Sequence, residues 1–398
     1  MTGLEHEDDP RGPLFETPVE IGANGRPTGV ELELPPDESS WAVGYLDPES
    51  IRIESLTVTV DLLLTRLQEM TLDLAPDFHR RIGMWSDVQQ SRFIESLLLG
   101  LPMSPFYMAQ QANDIWSVVD GMQRLTAIAR FMAPQHTVGL SPLFLTGLEY
   151  LTDREGALYA HLSGRMRLRL SETKVAVHLV RHRTPAAVKL NLFRRINAGG
   201  QPLTPQEIRH AMIPGPAREL LADLAEHPAF GEATGYSVSN ERMSDRELVL
   251  RFLAFRLTPP DRYREPDFDL FLANAMHGLN ELTDEQRDWE AREFKEAMKC
   301  ALNVFGDRAF RRSLDRGREL PVNKALFEAV AVNVATLDDQ QRVRLVASRD
   351  EVRDGLSARL TGDFTFERAL TVAPGDPENV RTRFEVVAGL FQEVLSGD

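Results

Sequence analysis

The stretch WSVVDGMQRLTAIARF, residues 116–131, sets an acid, a glycine, a glutamine and an arginine between an apolar β-branched run and a helical pattern. Those residue types in that order suit phosphate chemistry. Gly121 can turn with positive φ and lets a ligand approach the backbone. The residues after it open a helix, whose first N–H groups lack intrahelical partners and, with the helix dipole, attract anions. Arg124 can clamp phosphate oxygens in two places. Gln123 can orient a water or donate to an oxygen. Asp120 can hold a divalent metal through water or accept from a ribose hydroxyl, and Thr126 adds a hydroxyl near the first turn. The same residues also make an ordinary Asp-Gly turn followed by a solvated arginine. Spacing alone leaves both readings open.

Two other stretches offer similar chemistry. APDFHRRIGMW (75–85) places His79, Arg80 and Arg81 before Trp85, so cationic groups could meet a phosphate. A basic loop anchored by a buried tryptophan is the plainer alternative. LFRRINAGGQPLTPQEIRHA (192–211) puts Arg194 and Arg195 on the last turn of a helix. Asn197, Gly199 and Gly200 follow, and such a loop could form a nest of backbone N–H groups around an anion. A helix–loop–helix connection also explains the glycines, but not the arginines and asparagine before them.

These stretches need elements to position them. TVTVDLLLTRLQEM has helical spacing, with Thr57 or Thr59 as N-cap, and TLDLAPDF alternates as a short strand ending at Pro76. DVQQSRFIESLLLGLP predicts a helix from an Asp87 N-cap to a stop at Gly100 and Pro102. PFYMAQ, IWSVVD and KVAVHLV read as strands; LTAIARFM and AAVKLNLFRRI read as helices. From Thr204, with Pro205 at the first helical position and Glu207 three residues after the cap, the chain becomes a run of amphipathic helices. The expected organisation is an acidic, flexible or irregular arm over 1–50, a mixed α/β domain over 51–203 and a helical domain over 204–398.

Composition narrows the function classes. The net charge of −15 sits largely in residues 1–50, which hold 12 acids (Asp and Glu) against Arg11 and Arg26. No broadly basic nucleic-acid face is visible in the totals. Local clusters, RMRLRL (165–170), RHR (181–183) and FRRSLDRGR (310–318), could still line a groove for DNA phosphates. The first of these reads equally as an exposed strand with one polar face. The N-terminus lacks a signal-peptide pattern, and no apolar run approaches the roughly 20 residues that span a bilayer; a cytoplasmic protein is expected. The single cysteine, Cys300, lies on the apolar side of a helix and reads as core filler. It permits no intrachain disulfide and makes structural zinc a poor fit.

Taken together, PDFHRRIGMW, SRFIESLLLGLPMSPFYM, WSVVDGMQRLTAIARF and FRRINAGGQPLTPQEIRHA resemble, in order and approximate spacing, the N-terminal domain of GmrSD-type restriction endonucleases with its DGQQR-type motif. The helix RMSDRELVLRFLAF (242–255) is similar to that family's downstream region. The resemblance implies the wider ParB/sulfiredoxin superfold, and with it an α+β chain: a small mixed-sheet domain followed by a mainly helical one. It further implies nucleotide binding and NTP hydrolysis in a prokaryotic DNA-defence system, for which Mg2+ would be the natural ion.

Carried over by position, Asp120, Gly121, Gln123 and Arg124 match the signature, followed by Thr126. Arg80 matches the arginine of an upstream Phe-Gln-Arg element, and Asn197 and Gly200 match an RINxGG element that Arg194 precedes. In this reading Arg124 and Arg80 grip phosphates, Asp120 holds the metal or the attacking water, and Gln123 positions that water. Glu95 is suggested to face the site, an ordinary surface glutamate being the alternative. Met122, Ala127 and His79 depart from the family pattern. No ββα histidine pattern of an HNH nuclease is seen, so cutting would fall to a separate nuclease or defence-system subunit. A nucleotide-gated switch without turnover, engaging DNA or a protein, is the alternative. A metal-dependent DNA nickase is the weaker one.

Overall fold

The computed structural model describes residues 18–21, 25–33, 52–74, 85–111, 113–137, 140–196, 203–240, 242–265, 267–314 and 320–397, without the side chains of 186, 187 and 194–196. The architecture is mixed α/β, with a five-stranded sheet in the N-terminal half and helices beyond it.

The sheet holds β3 (Ile53–Thr59), β4 (Leu72–Asp73), β5 (Phe106–Gln110), β6 (Trp116–Asp120) and β7 (Lys174–Val180), in the order β3-β7-β5-β6-β4. β3 pairs antiparallel with β7, β7 parallel with β5, β5 antiparallel with β6, and β6 parallel with β4. β4 and β6 therefore deliver the chain to the same edge of the sheet. Side chains alternate across it. Phe106, Met108, Trp116 and Val118 join a core with α1 (Val60–Gln68), α2 (Asp87–Leu99), α3 (Met122–Met132) and α4 (Gly164–Glu172). Ala109, Val119 and Val180 join the second core instead, with α5 (Ala186–Ile196), α6 (Pro205–Met212) and the helical half. Burial on both faces explains why β6 reads as an almost unbroken apolar run.

The helical half comprises α7 (Pro216–Ala225), α8 (Pro228–Thr234), α9 (Ser244–Leu257), α10 (Phe268–Glu281), α11 (Asp284–Phe305), α12 (Lys324–Ala335), α13 (Asp339–Ala347), α14 (Arg349–Gly362), α15 (Phe364–Thr371) and α16 (Pro377–Ser396). α9 and α12 are buried nearly all round. Cys300 is core filler in α11, as expected, and burial pushes its thiol up to about 11.

Four expectations are corrected. Part of the presumed arm is folded: β1 (Val19–Ile21) and β2 (Pro27–Glu31) form an antiparallel pair, and Val30 is fully buried beside Val322. Gly29 permits this approach, since a Cβ there would lie 1.7 Å from the Ser237 carbonyl oxygen. The described acids of this segment pair with cations of the helical half: Glu31 meets Arg312 at 2.9 Å, Glu33 meets Arg251 at 2.5 Å and Glu20 meets Lys324 at 3.3 Å. Residues 1–17 and 34–51 lie outside the described residues.

RMRLRL is not a strand but part of α4. Ser163 caps it by accepting from the Met166 N–H, and Leu170 is buried while Leu168 is left 55% exposed. The N-cap of α2 is Ser86 rather than Asp87, because Gln89 three residues on completes a capping box. In FRRSLDRGR, Arg311 and Arg312 bond within the fold rather than lining a groove, while 315–319 lie outside the described residues.

Candidate functional site

The 120–124 turn sits at the edge of the sheet where β4 and β6 both end. Gly121 takes φ +97° and, as the N-cap of α3, has no side chain with which to cap the first turn. Its missing Cβ is required: one built there would lie 2.4 Å from Phe106 Cδ1. The first intrahelical bond runs from the Leu125 N–H to the Gly121 carbonyl, at 3.0 Å. The N–H groups of Met122, Gln123 and Arg124 therefore have no intrahelical acceptor, as at any uncapped helix start. The side chain of Asp120 is 40% exposed beside them.

Arg124 is oriented differently from an open phosphate clamp. Its guanidinium donates to the carbonyls of Ser104 and Pro105 and to Asp120 Oδ2, the last at 3.0 Å. It also lies 4.8 Å from the centre of the Phe106 ring. Burial lowers its pKa and Asp120 opposes that shift. Arg124 thus ties the strand entry at 104–106 to the acid of the turn. Thr126 is 1% exposed, so its hydroxyl is enclosed by protein one turn into the helix.

Gln123 accepts at Oε1 from the Trp85 backbone N–H, at 3.2 Å. This places the end of the 75–85 stretch against the turn. Arg80 itself lies outside the described residues, as do Asn197 and Gly200. Arg194 is in the last turn of α5, its side chain undescribed. After residues 197–202, which lie outside the described residues, α6 packs on β6.

Its capping box is as expected: Thr204 accepts from the Glu207 N–H, and Glu207 accepts from the Thr204 N–H. Glu207 is buried, and desolvation pushes its carboxyl up to about 7 although Arg242 lies 3.3 Å away.

Glu95 does not face the turn, nor is it a surface residue. It is 3% exposed and accepts from the N–H groups of Glu149, Tyr150 and Leu151. Burial acts to raise its pKa, but those three bonds prevail and lower it. The sequence gives no hint of the polar side chains that hold Trp85: Gln90 and Arg130, 1% and 4% exposed. Gln90 is 5 residues from Trp85, but Arg130, which holds Gln90, is 40 residues from it, beyond the reach of local spacing.

Among the described residues no group of three or more His, Cys, Asp or Glu could hold a metal. No helix among them is long and apolar enough to cross a membrane. A groove of about 510 Å3 lies between Gly100–Met103 and α4, and no residue of the 120–124 turn lines it.

Residues 63–214 match the family model for the N-terminal domain of the GmrSD restriction endonuclease. No curated protein and no solved structure matches the chain.

Proposed function

We propose, from the match of residues 63–214 to the family model for the GmrSD restriction endonuclease N-terminal domain, that this chain is a component of a restriction-like DNA-defence system that binds Mg2+–NTP at the 120–124 turn. The observation that carries the reading is the uncapped start of α3 at Gly121, set beside the half-exposed Asp120 where β4 and β6 end. Three backbone N–H groups and the helix dipole favour an anion there. A lone carboxylate fits Mg2+, which usually takes one or two carboxylates and completes its shell with substrate phosphates and water. Asp120 would hold that ion, whose chemistry is to neutralise phosphate charge. Gln123 is placed to hydrogen-bond a phosphate or a water at the same turn. Hydrolysis of the NTP is the finer part of the proposal, and cleavage of DNA is assigned to a separate effector.

A second reading, a nucleotide-gated switch without turnover, is favoured by Arg124. A ligand competing for Asp120 or Arg124 would loosen the 104–106 segment that Arg124 holds. Phosphate release from each of the four NTPs with Mg2+ separates the two. Release by wild type that Asp120→Asn abolishes supports an NTPase. Binding by calorimetry without release supports the switch, and neither binding nor release defeats both. Asp120→Asn is preferred to Arg124→Ala, because Asn keeps an acceptor for Arg124 while losing the charge.

A further inference from the structure

Trp85 is held at both ends of its backbone. Its N–H donates to Gln123 Oε1 at 3.2 Å, and its carbonyl accepts from Gln90 Nε2 at 2.7 Å. Gln90 Oε1 in turn accepts from Arg130 Nη1 at 3.0 Å. Arg130 belongs to the same helix as Gln123, seven residues on and so on nearly the same face. The four residues close a hydrogen-bonded ring that begins and ends on α3. Arg130 is fixed further by Asp87 at 2.9 Å and by the Ser141 carbonyl at 2.9 Å. The Trp85 ring meets Phe93 edge-on at 5.5 Å.

The ring determines the chemistry of Gln123. A backbone N–H can only donate, so the amide oxygen must face Trp85. The Nε2 group, with its two donors, is the part of Gln123 left for the turn. We propose that Gln90 and Arg130 are positioning residues for Gln123, presenting its Nε2 as a donor to a phosphate oxygen of the bound nucleotide. Gln123 then acts as a donor and not as an acceptor for a water proton. This inference rests on the reading of the turn as a nucleotide site, and goes beyond it by fixing the polarity of one contact.

Two substitutions test it with Mg2+ and each of the four NTPs by calorimetry. Gln123→Glu keeps an acceptor for Trp85 but removes both donors. Gln90→Glu keeps an acceptor for Arg130 but cannot donate to the Trp85 carbonyl. Each is expected to weaken binding by about tenfold or more, the range for one hydrogen bond to a charged group. The unfolding midpoint should stay near that of wild type, while the Trp85 amide exchanges hydrogen faster in Gln90→Glu. Gln90→Met, which removes both bonds without adding charge, replaces it should that variant not fold. Wild-type affinity in Gln123→Glu, or in a Gln90 variant whose Trp85 amide has become exchange-labile, would overturn the inference and leave the nucleotide site standing. Wild-type protein that binds no nucleotide would overturn both.

Discussion

At the scale of single residues, the turn separates a side chain left partly exposed, Asp120, from those that hold the fold, Arg124 and Thr126. The placements of Asp120, Gly121 and Gln123 were legible in the sequence because they are set locally: an acid ending a strand, a glycine needed for positive φ, a polar residue in the first helical turn. Arg124 was not, because the carbonyls that take its donors belong to Ser104 and Pro105, a pairing that no local spacing encodes. The burial of Thr126 was not legible either. One helical turn carries it from the rim into the core. Gly121→Ala is predicted to destabilise the protein by about 1–3 kcal/mol, since the alanine would be held at positive φ against Phe106. Urea unfolding measures this, and a loss below a few tenths of a kcal/mol would contradict the account.

At the scale of elements, helix starts were the most readable feature, because capping chemistry lies within four residues. Thr59 and Thr204 cap where their sequences indicate, and Ser86 displaces Asp87 only because Gln89 completes a box. What capping could not reveal is burial. Glu207 completes its box as the spacing indicates, but nothing local shows that α6 packs on the sheet and encloses it. A carboxyl raised from 4.5 to about 7 binds its proton more tightly in the folded chain. Its contribution to stability is complete below pH 4.5 and drains away as pH rises through about 7. Glu207→Gln can keep the cap and has nothing to titrate. The variant should therefore show a flatter decline of unfolding midpoint across that window, and a slope equal to that of wild type would argue against burial of the charge. RMRLRL shows the limit of periodicity. Its alternation fits a strand, but Met166 and Leu170 also fit one face of a helix, and the Ser163 cap decides between them.

At the scale of the whole molecule, the acidic segment contributes to the fold as well as to net charge. Three of its acids reach cations of the helical half, and that long-range pairing is invisible to composition. Arg251 is 2% exposed and is met by both Glu33 and Glu247. Glu33→Ala leaves Arg251 paired with Glu247 and Glu328 but removes its hydrogen bonds to Glu33, so it should lower stability by about 1.5–3 kcal/mol. Denaturant titration checks it, and a neutral outcome would mean the contact is dispensable.

The same network gives a pH profile. Burial acts to raise the Glu247 pKa, but Lys324, Arg251 and Arg209 outweigh it and hold the carboxyl far below its usual range. Its contribution is therefore present above about pH 4.5 and lost on acidification. Glu207 and Glu328, both pushed up to about 7 by burial, drain stability in the other direction. Thermal unfolding across pH should show an optimum on the acid side of neutrality, whereas a flat profile through pH 8 would contradict this balance.

The central claim is that the 120–124 turn holds the phosphates of a nucleotide with the help of Asp120. Its most direct test is calorimetric titration of wild type and Asp120→Asn with Mg2+ and each NTP, under conditions where both show the same unfolding midpoint. Binding by wild type that weakens by about tenfold or more in Asp120→Asn is the predicted result. Equal binding by the two proteins, or none by wild type, would contradict it.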